Sequence, residues 1–216
     1  MADRVSHGMA DRVNQRRAGR YLPGVRNRSD APPLVSDAEL LTRIAGGDQQ
    51  ALAELYQRHG RVVLAQITLV AGDRTVSEEI LQDTMLAVWR GAASFRGESS
   101  VRSWLIAIAR RQTRDRQRRR RIHMVAAEAL AGQPSPAPGP EHVALDRAEV
   151  AEVAVAIRTL APRHREVLGL VFGAGLSLGE AAGVLGIPTG TVKSRLSAAR
   201  TALSRRLEEK GRPDEH

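Results

Sequence analysis

Apolar residues recur at steps of three and four along two stretches of this chain, 36–121 and 145–209. Nowhere do they alternate with polar ones over a strand-length run bounded by turns. Both stretches therefore read as helical. In the first, Ser36-Asp-Ala-Glu39 is a capping-box pattern that opens a short helix to about Ala45. Asp48 caps a second helix through Ala51, Leu52, Leu55 and Tyr56, and Val62, Val63, Ala65, Ile67 and Leu69 continue helical structure toward Gly72. A third helix spans Asp73 to about Gly91, with Ile80, Thr84, Ala87 and Val88 on one face. A loop at Ala92 to Ser100 precedes a longer helix starting near Val101. In the second stretch, Val143 to Leu160 and Pro162 to Phe172 form two helices before the most patterned segment of the chain.

That segment, Leu176 to Arg200, reads LSLGEAAGVLGIPTGTVKSRLSAAR. Ser177 is an N-cap with Glu180 at the reciprocal position, Gly186 permits a left-handed turn, and Pro188 suits the first turn of a following helix. In that helix Val192, Leu196, Ala199 and Leu203 share a core-facing stripe. Gly190, Ser194, Ser197 and Thr201 lie opposite, flanked by Lys193 and Arg200. Two helices joined by a tight turn, the second with short polar groups and flanking cations on its outer arc, match a helix-turn-helix whose second helix enters a DNA groove. The bland counterpart is a helical hairpin with a solvated polar face.

The stretches are separated by residues 122–144, which include Gly132-Gln-Pro-Ser-Pro-Ala-Pro-Gly-Pro140, a composition that forbids regular structure. The expected organisation is all-α: a disordered basic N-terminal tail (1–35), a helical domain (36–121), a flexible Pro-rich linker (122–144), a second helical domain (145–209) and a short C-terminal tail (210–216). Fully extended, the linker spans roughly 75 Å at about 3.3 Å per residue. Two turns of B-DNA measure about 70 Å. The tail contains a small duplication, Met1-Ala-Asp-Arg-Val5 and Met9-Ala-Asp-Arg-Val13, so both methionines are candidate starts.

Charge sharpens the picture. The 216 residues carry a formal net charge of +9. Lys193 and Lys210 are the only lysines, an arginine bias that fits a GC-rich genome such as an actinobacterium's and suits phosphate contact. The tail has seven arginines against three aspartates, and Arg110 to Arg121 has eight arginines against one aspartate. The latter run repels itself unless a polyanion neutralises it, so it reads as a phosphate-contacting helix extension. Aromatics make up only 3% of the chain, which disfavours base-stacking platforms. The absence of cysteine excludes disulfides, thiolate metal sites and thiol redox sensing.

The histidines are scattered without ligand spacing, and there is no phosphate-binding glycine loop and no nucleophile–base pair. No catalytic residues, metal site or cofactor are therefore expected. No run is apolar enough to span a bilayer, and the N-terminus lacks a signal-peptide core, so a cytoplasmic, nucleoid-associated protein without membrane insertion is expected.

Two further motifs carry a family resemblance. Ser77-Glu-Glu-Ile-Leu-Gln-Asp-Thr-Met-Leu-Ala-Val-Trp-Arg90 followed by Phe95-Arg-Gly-Glu-Ser-Ser-Val-Arg-Ser-Trp-Leu-Ile-Ala-Ile-Ala-Arg110 resembles region 2 of the extracytoplasmic-function (ECF) sigma factors of bacteria. Leu160-Ala-Pro-Arg-His-Arg-Glu-Val-Leu168 through Gly190-Thr-Val-Lys-Ser-Arg-Leu196 resembles region 4 of the same family. The resemblance covers roughly Asp37 to Glu209. It implies a dissociable specificity subunit that binds core RNA polymerase through its beta-prime and beta subunits, recognises minus-ten and minus-thirty-five promoter DNA, and is held inactive by an anti-sigma factor.

By the same resemblance, Glu79, Gln82, Asp83 and Trp89 are core-polymerase contacts. Phe95, Arg96, Ser99, Ser100, Arg102, Arg110, Arg111 and Arg114 are minus-ten contacts, the hydroxyls and the backbone around Gly97 holding an unstacked base. Thr189, Thr191, Lys193, Ser194, Arg195, Ser197 and Arg200 are the helix-turn-helix contacts. Trp104, at helical spacing with Ile108, reads as a core residue rather than a stacking platform. The chain has Arg111 where many members carry asparagine and Val101 where many carry an aromatic, so the promoter sequence is not implied. The rival reading is a helix-turn-helix transcriptional regulator that is not a polymerase subunit. Such a protein would place a phosphoacceptor or ligand domain where this chain has a basic helical segment.

Overall fold

Most of the described helices begin where a short polar side chain satisfies free amides. The computed structural model describes residues 35–131 and 155–210. Helix α1 spans Asp37–Ala45, with Ser36 Oγ accepting from the Glu39 amide at 3.2 Å. Helix α2 spans Gln49–Ala71; Asp48 Oδ1 accepts from the amides of Gln50 and Ala51, and Gly72, at φ 80°, closes the helix in the left-handed region. Helix α3 spans Arg74–Gly91 under an Asp73 cap and runs into a 3₁₀ turn at Ala92–Ser94. Helix α4 spans Val101–Ala131.

After a helical turn at 155–159 come α5 (Pro162–Leu168), a π turn (Gly169–Gly173), α6 (Leu178–Leu185) and α7 (Thr189–Lys210). The described residues contain no strand, so the all-helical expectation holds for both domains.

Three boundaries differ from expectation. What read as two helical runs between Asp48 and Gly72 is one helix, α2, because nothing between Tyr56 and Val62 breaks it and Gly60 is tolerated inside. The expected helix Pro162 to Phe172 changes register at Gly169, where the Ala174 amide donates five residues back to the Gly169 carbonyl at 2.8 Å. Helix α4 passes the expected domain end at 121 by ten residues, because 122–131 contains only helix-compatible side chains and the first breakers are Gly132 and Pro134. The N-terminal tail, the Pro-rich segment proper and the end of the chain lie outside the described residues.

The first half buries Leu40, Leu41 and Ile44 of α1 against Leu55, Val63 and Ile67 of α2, Ile80 and Val88 of α3, and Leu105 and Ile106 of α4. In the second half Val167, Leu170, Leu176, Ala181, Leu185, Val192, Leu196 and Ala199 are buried together. These cores are continuous: all the described residues fall in one compact unit, and α2 and α4 pack directly on α5, its π turn and α6. A three-residue clamp fixes the N-terminal entry. Asp37 accepts from Arg58 Nη1 at 2.7 Å and lies 2.6 Å from His59 Nε2, while Arg58 also donates to the Val35 carbonyl at 2.8 Å.

Candidate nucleic-acid interface

The loop between α3 and α4 is held at both ends and open in the middle. At one end Phe95 packs edge-on against Trp104, ring centroids 5.4 Å apart, and both pack against the core. At the other, Ser100 caps α4: its Oγ accepts from the Ser103 amide at 3.2 Å, and its carbonyl accepts from Ser103 Oγ at 2.9 Å. Between them Gly97 adopts φ 72°, and Arg96, Glu98 and Ser99 are exposed. Trp104 thus serves the core, as its spacing indicated.

Ser100, Arg102 and Arg110, expected to face DNA, are instead engaged by the second half. Ser100 Oγ hydrogen-bonds the Glu180 carboxylate, Arg102 Nη1 donates to the Ala174 carbonyl at 3.2 Å, and Arg110 Nε donates to Glu166 Oε1 at 2.5 Å. Arg111 and Arg114 remain exposed. Beyond them Arg116 pairs with Glu79 of α3, while Arg118, Arg119, Arg120 and Arg121 face solvent as a cationic helix extension.

The helix-turn-helix forms as its turn chemistry dictates. Ser177 and Glu180 make both halves of a capping box, with Ser177 Oγ accepting from the Glu180 amide at 3.2 Å and Glu180 Oε2 accepting from the Ser177 amide at 2.9 Å. The hydroxyl of Ser100 and the amide and hydroxyl of Ser177 all donate to the Glu180 carboxylate and hold it below the usual carboxylate range. Gly186 turns the chain at φ 67°, and the Pro188 carbonyl accepts from the amides of Thr191 and Val192 at the start of α7. Val192 and Ala199 are both fully buried, which fixes the roll of α7.

That roll leaves Thr189, Lys193, Ser194, Ser197 and Arg200 exposed. Ser194 Oγ donates back to the Thr191 carbonyl at 3.0 Å, and Arg200 lies over the Phe172 ring at 5.1 Å. Thr191 is half-buried. Arg195 is not on the outward arc: three residues after the buried Val192, it sits at the edge of the stripe and lines the cleft between the halves.

On the far side of the first half, α2 and α3 enclose a groove of about 760 Å³ lined by Leu52, Tyr56, Leu81, Gln82, Met85 and Leu86 among others. Tyr56 and Leu86 are each about half exposed, at 48% and 52%. Of the expected polymerase contacts, Gln82 lines this groove and Asp83 is exposed nearby on α3. Glu79 is tied to Arg116, and Trp89 is half-buried against the core. Tyr56 is one of the apolar positions expected of its helix and Leu86 carried no expectation; both lie off the buried face of an otherwise amphipathic helix. Among the described residues no cluster of His, Asp and Glu is arranged to hold a metal, and no helix is long and apolar enough to cross a membrane.

Comparison with known proteins places these surfaces in context. Residues 55–122 match the family model for Sigma-70 region 2, and residues 156–205 match that for Sigma-70, region 4. The chain is 35% identical to the RNA polymerase sigma factor CnrH of Cupriavidus metallidurans over 82% of this chain and 96% of that one. It is 36% identical to the ECF RNA polymerase sigma factor SigM of Mycobacterium tuberculosis over 80% of this chain and 85% of that one. Among solved structures, CnrH in complex with the cytosolic domain of CnrY superposes with a TM-score of 0.59 at 30% identity, over 80% of this chain and 97% of that one. The sigma factor RpoE in complex with the anti-sigma factor NepR from Bartonella quintana gives 0.57 at 26% identity, over 72% and 97%.

Proposed function

The chain belongs to the ECF family of RNA polymerase sigma factors, and from that premise we propose how its surfaces divide the work of promoter-specific transcription initiation. The groove between α2 and α3 docks core polymerase: Tyr56 and Leu86 supply apolar anchors, and Gln82 and Asp83 supply polar selectivity at its rim. The loop 95–102 holds the minus-ten element once its strands part. Ser99 and the backbone around Gly97 receive an unstacked base, and Arg96, Arg111 and Arg114 contact phosphates. Helix α7 reads the minus-thirty-five element with Lys193, Ser194 and Ser197, while the arginines at the end of α4 add sequence-independent attraction. RNA synthesis itself belongs to the polymerase, and the protein works with it in the cytoplasm.

The observation that carries this reading is the combination, in one chain, of an open polar loop before an arginine-rich helix with a helix-turn-helix whose roll is fixed by Val192. A regulatory protein that covers polymerase-facing surfaces is part of the same proposal, supported by the complex of the similar RpoE with the anti-sigma factor NepR. The test is reconstitution: purified chain added to core RNA polymerase should start transcription at a small set of promoters with no other sigma subunit present. Failure to bind core polymerase overturns the reading and favours a free-standing DNA-binding regulator.

A further inference from the structure

Phe172 is 58% exposed, although the turn that carries it is anchored on both sides. Leu170 and Ala174 are buried, and the Ala174 amide donates to the Gly169 carbonyl at 2.8 Å, closing the π turn Gly169–Gly173. The backbone therefore holds this ring outside the core. Over it lies the Arg200 guanidinium, 5.1 Å from the ring centroid. Arg200 follows the buried Ala199 on α7 and shares the exposed arc with Lys193, Ser194 and Ser197.

The kind of partner given to Arg200 matters chemically. Between residues 155 and 207 the chain has only two acidic residues, Glu166 and Glu180. Both are engaged elsewhere: Glu166 accepts from Arg110, and Glu180 from Ser100 and Ser177. Arg200 has no carboxylate partner among the described residues. A carboxylate would occupy guanidinium donors and cancel the charge. An aromatic ring does neither, because its negative face attracts the cation and leaves all five N–H groups free. Lys193 and Arg200 are also seven positions apart, two turns or about 10.5 Å along one face of α7. The DNA major groove is about 12 Å wide, so the two cations are spaced to reach phosphates at its two edges.

We propose that Phe172 is a positioning residue for upstream promoter recognition: it orders the Arg200 side chain for its phosphate contact before DNA arrives, with charge and donors intact. The proposal rests on α7 being the reader of the minus-thirty-five element. Immobilising a long side chain on binding costs affinity, and a ring that orders it beforehand removes that cost. Phe172 itself adds no charge to the DNA contact, which separates its effect from that of Arg200.

The test uses holoenzyme assembled from the full chain and core RNA polymerase, titrated against a promoter fragment recovered by start-site mapping over a series of salt concentrations. Phe172→Leu keeps apolar bulk without a ring. It should weaken promoter binding roughly two- to tenfold and leave the slope of log affinity against log salt unchanged. Phe172→Trp should keep native affinity, since indole is the best ring for a cation. Arg200→Gln should reduce the slope by about 1, and on that background Phe172→Leu should have no further effect.

Unchanged affinity for the Leu variant, or an equal loss with Arg200 absent, refutes the positioning role. So does an unchanged slope for Arg200→Gln, which removes Arg200 from the phosphate contacts. A loss of affinity for core polymerase itself on Phe172→Leu, read in a separate titration without DNA, makes Phe172 a polymerase contact and overturns the proposal. The sigma reading stands apart from these outcomes: it fails only if the unaltered chain does not initiate transcription with core polymerase.

Discussion

Truncating one methyl-bearing side chain in the second half should reveal whether the two halves unfold together. Val192 anchors α7 and is fully buried. Val192→Ala removes two carbon groups, worth about 1.6 kcal/mol at roughly 0.8 kcal/mol per buried methylene, and an incompletely collapsed void brings the total to about 2–3 kcal/mol. For a unit of this size that is a fall in melting temperature of roughly 4–10 °C. The readout exploits an asymmetry: the only tryptophans, Trp89 and Trp104, both lie in the first half, whereas far-ultraviolet circular dichroism reports every helix. Since the buried cluster is continuous across α2, α4 and α5, the substitution should shift the tryptophan transition as far as the dichroism transition, with an unchanged denaturant slope. A dichroism midpoint that falls while the tryptophan midpoint stays fixed would refute the coupling and make the halves independent folding units.

Four other substitutions probe single links. Gly186→Ala meets no neighbouring atom, so its cost is the left-handed backbone alone, about 1–2 kcal/mol by chemical denaturation, with the helix-turn-helix still formed. Asp37 is opposed by partial burial, but its hydrogen bonds to Arg58 and His59 and their charges outweigh it and lower its pKa. The clamp's contribution is thus complete above the ordinary carboxylate pKa and is lost as pH falls through the lowered one, and Asp37→Asn should flatten the acid limb of the stability–pH curve. Leu86→Glu should weaken binding to core polymerase at least tenfold in a pull-down titration while leaving the dichroism spectrum unchanged, since Leu86 is exposed beside the α2–α3 groove. Lys193→Ala should reduce the slope of log affinity against log salt by about 1 on a promoter fragment recovered by start-site mapping; an unchanged slope removes Lys193 from the phosphate contacts.

What the sequence disclosed was whatever is decided within a few residues. Ser36, Asp48 and Ser177 cap the helices that follow them, Gly186 takes the left-handed turn, and Val192, Leu196 and Ala199 form the buried stripe, because each depends on neighbours one to four positions away. The interface between the halves was not legible. Gln66 and Gly169 are 103 positions apart, and Gln66 looks like a polar interruption in an apolar run until the Gly169 carbonyl is placed against it. Likewise Ser100, Arg102 and Arg110 carry the right chemistry for DNA, and no local pattern says that an intramolecular acceptor reaches them first. Arg200 illustrates the same limit: its outward position on α7 follows from the stripe, its stacking on Phe172 does not.

The interface differs in kind from the cores it joins. Within each half, leucine, isoleucine and valine are withdrawn from water, and separating them costs their full transfer energy. Between the halves lies a cleft of about 280 Å³, lined by Ile67, Ile106 and Leu170 but also by Arg110, Arg114, Arg163, Arg195 and Glu166. Four guanidinium groups against one carboxylate repel one another there. The contact is held by apolar packing continuous with the two cores, together with hydrogen bonds whose net worth is about 1 kcal/mol each. A seam of that composition stabilises less than the cores on either side of it, yet its apolar part still couples them. The arginine density that suits phosphate contact therefore also sets the composition of this seam apart from that of the cores.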